Sequence, residues 1–258
     1  MLLKTIFIMI NYPNAKINIG LNIESKRSDG YHNISSVFYP IHNCYDILEI
    51  IESSKFKFTS SGITIPKGIN LCEKAFNIIQ LKYAINPVHI HLHKNIPIGA
   101  GLGGGSSDAA FTLKSLNEIF HLNISNDELE KLAISLGADC PFFIENRPKI
   151  INGIGDVMKN IDLDLSNYKI ILMDSDIHIS TKEAYNNVSV CSSEVSIEDL
   201  IFHPINSWKK TIKNDFEQKL FLKYPVLAET KKNLYSNGAV YASMTGSGSV
   251  IYGMFSSK

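Results

Sequence analysis

Between Pro97 and Ala110 the chain reads PIGAGLGGGSSDAA, with five glycines at 99, 101, 103, 104 and 105 and then Ser106, Ser107 and Asp108. Glycine lets a backbone approach a ligand closely, and the N–H groups in the first turn of a helix have no intrahelical acceptor, so together they bind phosphate oxygens. The flanks fit that chemistry. Val88 to Leu92 alternates apolar and polar as a strand does, and Ala109 to Phe120 carries a helical pattern. A plain turn needs one or two glycines, not five ahead of a capping serine, so the stretch reads as an anion site. Two familiar loops are excluded. Gly99, Gly101 and Gly104 satisfy G-x-G-x-x-G, but about 20 positions on that fingerprint needs an acidic residue, and His121-Leu122-Asn123-Ile124-Ser125 offers none. Gly105 is followed by Ser106, and the loop has no lysine, so it is not a Walker loop.

Other candidate chemistry is weaker. His89, His91 and His93 share one face of a strand, a spacing that zinc sites use, but no carboxylate or cysteine nearby completes a metal shell. With Val88, Ile90 and Leu92 opposite, they read as the solvent face of an amphipathic strand. Cys44, Cys72, Cys140 and Cys191 have no C-x-x-C spacing and read as buried thiols of a cytoplasmic protein. The 258 residues are 45% hydrophobic and 19% charged with a formal net charge of zero, which argues against nucleic acid as a partner. No apolar run approaches the roughly 18 residues of a membrane span. The short apolar start, Met1 to Ile10, reads as a first strand, with Met9 an alternative start.

These residues need elements to hold them. Ile17, Ile19, Leu21 and Ile23 alternate as a half-buried strand, and Ser28-Asp29-Gly30 marks a turn. Val37 to Pro40 and Ile47 to Glu52 read as strands, the second continued as a hairpin by Phe56 and Phe58. Helices are expected over Leu71 to Tyr83 and over Ser125 to Leu136, where Ser125 and Glu128 form a capping box and Gly137 stops the helix. Short strands are expected at Phe142 to Ile144 and Lys149 to Ile151, and near Gly153-Ile154-Gly155 the chain passes to a second lobe. There, strands over Lys169 to Met173 and Val250 to Phe255 accompany helices beginning at Ser180 to Asn187 and spanning Trp208 to Leu222 and Val226 to Ser236. The expected class is α+β, divided into 1–155 and 156–258.

Three segments now coincide: Pro13-Asn14-Ala15-Lys16-Ile17-Asn18, the glycine–serine loop, and Met244-Thr245-Gly246-Ser247-Gly248. In this order they resemble the three motifs of the GHMP kinases. Lys26-Arg27-Ser28-Asp29-Gly30-Tyr31-His32, Gly137-Ala138-Asp139-Cys140-Pro141-Phe142-Phe143 and Asn214-Asp215-Phe216-Glu217 narrow the likeness to the branch acting on a cytidine diphosphate-linked methylerythritol. The likeness runs over about residues 11 to 255. It implies a two-lobed fold, ribosomal-protein-like first and ferredoxin-like second, and ATP- and Mg²⁺-dependent phosphorylation of the substrate's 2-hydroxyl. It implies that Pro97, Gly99, Gly101, Leu102, Gly103, Gly104, Gly105, Ser106 and Ser107 hold ATP, with Ser106 or Ser107 as a Mg²⁺ contact. It implies too that Asp139 takes the hydroxyl proton, with Lys16 beside it to lower the carboxylate pKa and offer positive charge to the transferring group. By the same resemblance Tyr31 would stack on the cytosine and His32 hydrogen-bond its edge, with Asn18 and Thr181 as polar contacts to the erythritol and phosphate end.

Two other readings stand beside this one: a kinase of the same family for another small alcohol such as homoserine or mevalonate, and a catalytically silent, ligand-sensing relative. The Asp-Gly-Tyr-His run speaks against the first, whose substrates carry no base to stack. The presence of both Lys16 and Asp139 speaks against the second. The expected protein is a cytoplasmic monomer or weak homodimer with a small-molecule substrate, no nucleic acid and no membrane. The family continues past its last glycine motif with a strand, a helix and a closing strand, whereas this sequence stops at Lys258, so the second lobe is expected to lack its last helix and edge strand.

Overall fold

The computed structural model describes residues 8–186, 188 and 195–257. Met1, most of the expected first strand, Asn187 and Cys191 lie outside them. In chain order the strands and helices are β1 (Ile8–Asn11), β2 (Asn14–Lys26), β3 (His32–Tyr45), β4 (Ile47–Glu52), β5 (Lys57–Gly62), α1 (Leu71–Tyr83), β6 (Val88–Lys94) and α2 (Gly104–Ile119). There follow α3 (Asn126–Ile134), α4 (Phe142–Glu145), β7 (Lys149–Asn152), β8 (Val157–Asn160) and β9 (Tyr168–Met173). The rest are α5 (Thr181–Asn186), α6 (Ile197–Leu200), α7 (Ile205–Thr211), α8 (Glu217–Lys223), α9 (Pro225–Ser236), β10 (Tyr241–Met244) and β11 (Ile251–Ser256). The class is α+β, and two compact units interleave along the chain.

The first unit comprises residues up to 15, 41–98 and 103–146. Its sheet has the order β1-β4-β6-β5. Leu48, Ile50, Val88, Ile90 and Leu92 are fully buried, as are Cys72, Phe76 and Ile79 of α1 and Leu113 and Leu116 of α2, the two helices packing on each other and α2 on β4. The opposite face carries His89, His91 and His93, which share hydrogen bonds of 2.8 to 3.0 Å with the hydroxyls of Thr59 and Ser61. A capping box opens α1, with Asn70 accepting from Cys72 N and Glu73 accepting from Asn70 N. Of the capping box expected at α3, the bond from Glu128 N to Ser125 forms, while the Glu128 carboxylate accepts from Lys82 and Tyr83.

Three expectations fail in this unit. Phe56 and Phe58 do not continue a hairpin with β4: β6 takes the place beside β4, β5 pairs parallel to β6, and Phe56 stacks on Phe76 of α1 at 4.4 Å. Phe142 to Ile144 is helical, because Pro141 sits at φ −59° and ψ −31° and starts a helical turn that buries all three apolar residues. The glycine-loop helix has no serine cap; its N-cap is Gly103 in the left-handed region at φ 70°, with no side-chain hydrogen bond.

The second unit comprises residues 16–40, 99–102 and 147–258. It holds the sheet β2-β3-β7-β8 and the antiparallel sheet β10-β11-β9. Leu21, Ile23, Ile34, Phe216, Leu220, Leu227, Leu234, Met244 and Ile251 belong to one buried apolar cluster. β2 is not half-buried as its alternation suggests, since Asn14 through Leu21 are all buried, polar positions included. The single helix expected over Trp208 to Leu222 is two, α7 and α8. Between them Asn214 and Asp215 leave the helical path: Asn214 bridges to Leu21, and the Asp215 carboxylate accepts from Ile23 N at 2.7 Å.

Candidate active site

The glycine stretch divides between the two units, and each part has its own support. In the first unit β6 ends at Lys94, Pro97 is half-buried, and α2 starts at Gly104. A Cβ on Gly104 would lie 2.9 Å from both Ile96 Cγ2 and Lys94 Nζ, so only glycine lets the helix start this close to the strand. The first-turn N–H groups, from Gly104 to Ser106, have no intrahelical acceptor, and α2 is 16 residues long, with a dipole that favours an anion there. Ser107 is fully buried, and its Oγ has no hydrogen-bond partner. Gly105 is exposed, open to a ligand.

The turn that carries Asp139 adjoins this helix start. Gly137 to Pro141 forms tight turns between α3 and α4, with Cys140 N donating to Gly137 O at 3.1 Å. Asp139 is half-buried. The next residue, Cys140, is fully buried; burial pushes its thiol up to about 11, against a hydrogen bond from Ser106. Ser106 of α2 and the Asp139 turn are thus neighbours within one unit.

In the second unit the site residues are tied by hydrogen bonds. Lys16 is 3% exposed, its Nζ donates to Asn18 Oδ1 at 2.6 Å, and it lies 4.3 Å from the centre of the Phe38 ring. Asn18 Nδ2 donates to Ser36 Oγ at 2.9 Å, and Ser36 donates to Gly20 O at 2.6 Å. Asn18 N donates to Thr245 Oγ1 at 3.0 Å, and Thr245 Oγ1 donates to Gly101 O, also at 3.0 Å. Lys16 N donates to Leu102 O at 2.9 Å. Asn214 Nδ2 donates to Met244 O and Gly246 O, holding the last glycine motif in place. All three motifs therefore contribute to one network. The closeness explains Gly101, at φ 79°, where a Cβ would lie 2.1 Å from Thr245 O. A Cβ on Gly99 would meet the His178 ring at 2.8 Å.

Tyr31 and His32 follow a turn closed by Gly30 N donating to Arg27 O and Tyr31 N donating to the Asp29 carboxylate. The Arg27 guanidinium beside it holds the Asp29 carboxyl below its ordinary range. Tyr31 is 62% exposed. The His32 ring stacks on Tyr185 of α5 at 5.0 Å and 24°, and Tyr185 meets Phe216 edge-on. Tyr185 was not anticipated from the sequence; its only signal there was an aromatic four residues after Thr181. Thr181 itself is exposed at the first position of α5, where Ser180 caps the helix by accepting from Glu183 N.

A second group went unanticipated. Asp46, Lys94 and Asp108 form a buried ionic cluster, with Lys94 Nζ paired to both carboxylates. Burial weighs most heavily against the Lys94 charge, yet Asp108 and Asp46 together hold the ammonium above its ordinary value. Burial pushes the Asp108 carboxyl up to about 8, against the pull of Lys94. Among the described residues no group of three or more His, Cys, Asp and Glu side chains could hold a metal ion.

A glycine loop that opens a helix in an α+β fold suits an enzyme that holds phosphate, and comparison with known proteins gives the family. The GHMP kinases N terminal domain model matches residues 70–147 and the GHMP kinases C terminal model matches residues 197–258. Relatives from Azobacteroides pseudotrichonymphae and Parabacteroides distasonis, both named 4-diphosphocytidyl-2-C-methyl-D-erythritol kinase, are each 49% identical over 96% of this chain, and the matches span 93% and 92% of those proteins. The chain belongs to the GHMP kinases. A crystal structure of 4-(cytidine 5'-diphospho)-2C-methyl-D-erythritol kinase superposes with a TM-score of 0.83 at 29% identity, covering 95% of this chain and 90% of that one. A homoserine kinase from Cytophaga hutchinsonii shares the fold at TM-score 0.72 and 15% identity.

Proposed function

We propose that this chain transfers the γ-phosphoryl group of ATP to the 2-hydroxyl of 4-diphosphocytidyl-2-C-methyl-D-erythritol, in the non-mevalonate route to isoprenoid precursors. The observation that carries this reading is the 49% identity, over nearly the whole chain, to relatives named for that activity. In this account the glycine stretch, Pro97 to Ser107, holds the ATP phosphates through backbone N–H groups. Asp139 accepts the proton of the substrate hydroxyl, and Lys16 supplies positive charge toward the transferring group. Phosphoryl transfer needs chiefly positioning and charge neutralisation, and these residues provide both. Tyr31 and His32 take the cytosine, with Tyr185 supporting His32 by stacking. Asn18 and Thr181 face the rest of the substrate.

Mg²⁺ fits this residue set. The buried Ser107 Oγ without a hydrogen-bond partner, beside Ser106, is a hard oxygen donor of the kind Mg²⁺ accepts alongside phosphates and water. When bound, Mg²⁺ neutralises phosphate charge. The division at residue 155 belongs to the same reading, and it is supported by the two family models falling on either side of it. So do a cytoplasmic monomer or weak homodimer and the absence of a nucleic-acid partner, the latter supported by the zero formal net charge. No helix among the described residues is long and apolar enough to cross a membrane.

The test is ADP release from ATP with four alcohols in parallel: the cytidine-linked alcohol, mevalonate, homoserine and galactose. Release with the first alone is expected. Release with one of the others and not with the first would assign the chain to another branch of the family.

A further inference from the structure

The ionic cluster beneath the glycine stretch has no part in the chemistry described above. Asp46 stands just before β4, Lys94 ends β6, and Asp108 lies one turn into α2. They are 0%, 3% and 2% exposed. Lys94 Nζ donates to Asp46 Oδ2 and, at 2.7 Å, to Asp108 Oδ2. Asp46 Oδ1 accepts the backbone N–H groups of Asn95 at 2.6 Å and Ile96 at 2.8 Å, where the chain leaves β6 for the glycines. A Cβ on Gly104, where α2 begins, would lie 2.9 Å from Lys94 Nζ, so the ammonium sits close to the helix start. One cluster thus grips the chain on both sides of the loop: the strand side through two N–H groups, the helix side through Asp108.

Stability alone is a poor reason for such a cluster. Taking charged groups out of water costs about as much as their attraction returns, and apolar residues of similar volume often serve at least as well. Asp108 Oδ1, moreover, is buried without a hydrogen-bond partner, which is a net cost. An ionic cluster of fixed geometry does offer direction, because its hydrogen bonds hold backbone at set distances. We propose that Asp46, Lys94 and Asp108 are positioning residues for nucleotide binding: they lock the end of β6 to the first turn of α2 and so aim the N–H groups of Gly104 to Ser106 at phosphate. The proposal rests on the reading that this loop holds ATP.

Calorimetric titration of the full chain, once with ATP and once with the cytidine-linked alcohol, tests it. Asp46→Asn keeps an oxygen for the Asn95 and Ile96 N–H groups but removes the charge facing Lys94. The double variant Lys94→Met with Asp108→Asn removes the tie to α2 and leaves Asp46 with its backbone partners, a second route should the first variant fold poorly. Both are expected to weaken ATP by about tenfold, since misplacing binding groups by about an ångström costs up to about 10²-fold, while affinity for the alcohol stays within about twofold. Folded variants that bind ATP as the wild type does would overturn the proposal. So would equal loss of both ligands with a large fall in melting temperature, the mark of a structural role. A wild-type chain that binds the alcohol but not ATP would remove the ATP reading itself, and the proposal with it.

Discussion

Lys16 and Asn18 stand two residues apart on β2, and the lysine ammonium donates a 2.6 Å hydrogen bond to the asparagine side-chain oxygen. Spacing of two puts both side chains on one face of the strand, and both are almost wholly buried. Asn18 is held in turn by Ser36, and its backbone by Thr245, so the direction of the lysine is set by segments far apart in sequence. A buried ammonium aimed by fixed dipoles is more effective toward developing phosphoryl charge than a solvated one.

Asp139→Asn should fold normally and lose about 10²–10⁴ in turnover, the range of a positioned general base. The residue is half-buried and asparagine has nearly the shape of aspartate, so the amide should be tolerated. Turnover is measured with both substrates saturating; more than half the activity remaining would remove Asp139 from this role. Lys16→Met combined with Asp139→Asn should fall little below the worse single variant, because residues acting as a unit are non-additive.

Gly103→Val should raise the ATP KM or abolish activity. Gly103 caps α2 at φ 70°, a conformation that costs a β-branched residue roughly 1–3 kcal/mol, and the added side chain would crowd the approach to phosphate. Calorimetry with ATP decides the matter; unchanged affinity would mean that the loop does not cradle phosphates.

Tyr31→Ala and Tyr185→Ala should part company. Tyr31 is 62% exposed and has little packing to lose, so its removal should cost roughly 1–3 kcal/mol of affinity for the cytidine-linked substrate with ATP affinity and melting temperature nearly intact. Tyr185 packs on both His32 and the buried Phe216, so its removal should weaken the same substrate and lower the melting temperature as well. A Tyr31 variant that harms both substrates alike, with a large loss of stability, would make that ring structural and weaken the cytidine assignment.

Local signals carried much of this architecture. The boundaries of α1 and β4 follow directly from apolar spacing and flanking polar residues; the glycines pointed to a following helix, but α2 begins at Gly104, five residues before the expected Ala109. What was not legible depended on partners distant in sequence. Nothing near Phe56 says that β6 will take the place beside β4. The apolar pattern from Trp208 to Leu222 is helical throughout, and the break at Asn214 exists because that side chain holds Met244 O and Gly246 O. The polar residues of β2 looked solvent-facing because alternation cannot distinguish a wet face from a buried polar network. Lys94 and Asp46 stand 48 positions apart with nothing local to link them, and only the fold brings them together with Asp108. The motif residues stand out because each motif is compact; Tyr185 does not, because its stacking partner His32 lies on another element.

The most direct test of the central claim is the phosphorus NMR spectrum of the product formed from the cytidine-linked alcohol, ATP and the purified chain. One new phosphomonoester resonance is expected, coupled to no other phosphorus, appearing in step with ADP while the diphosphate resonances of the substrate persist. ADP accompanied only by inorganic phosphate, or a product whose diphosphate bridge is altered, would contradict it.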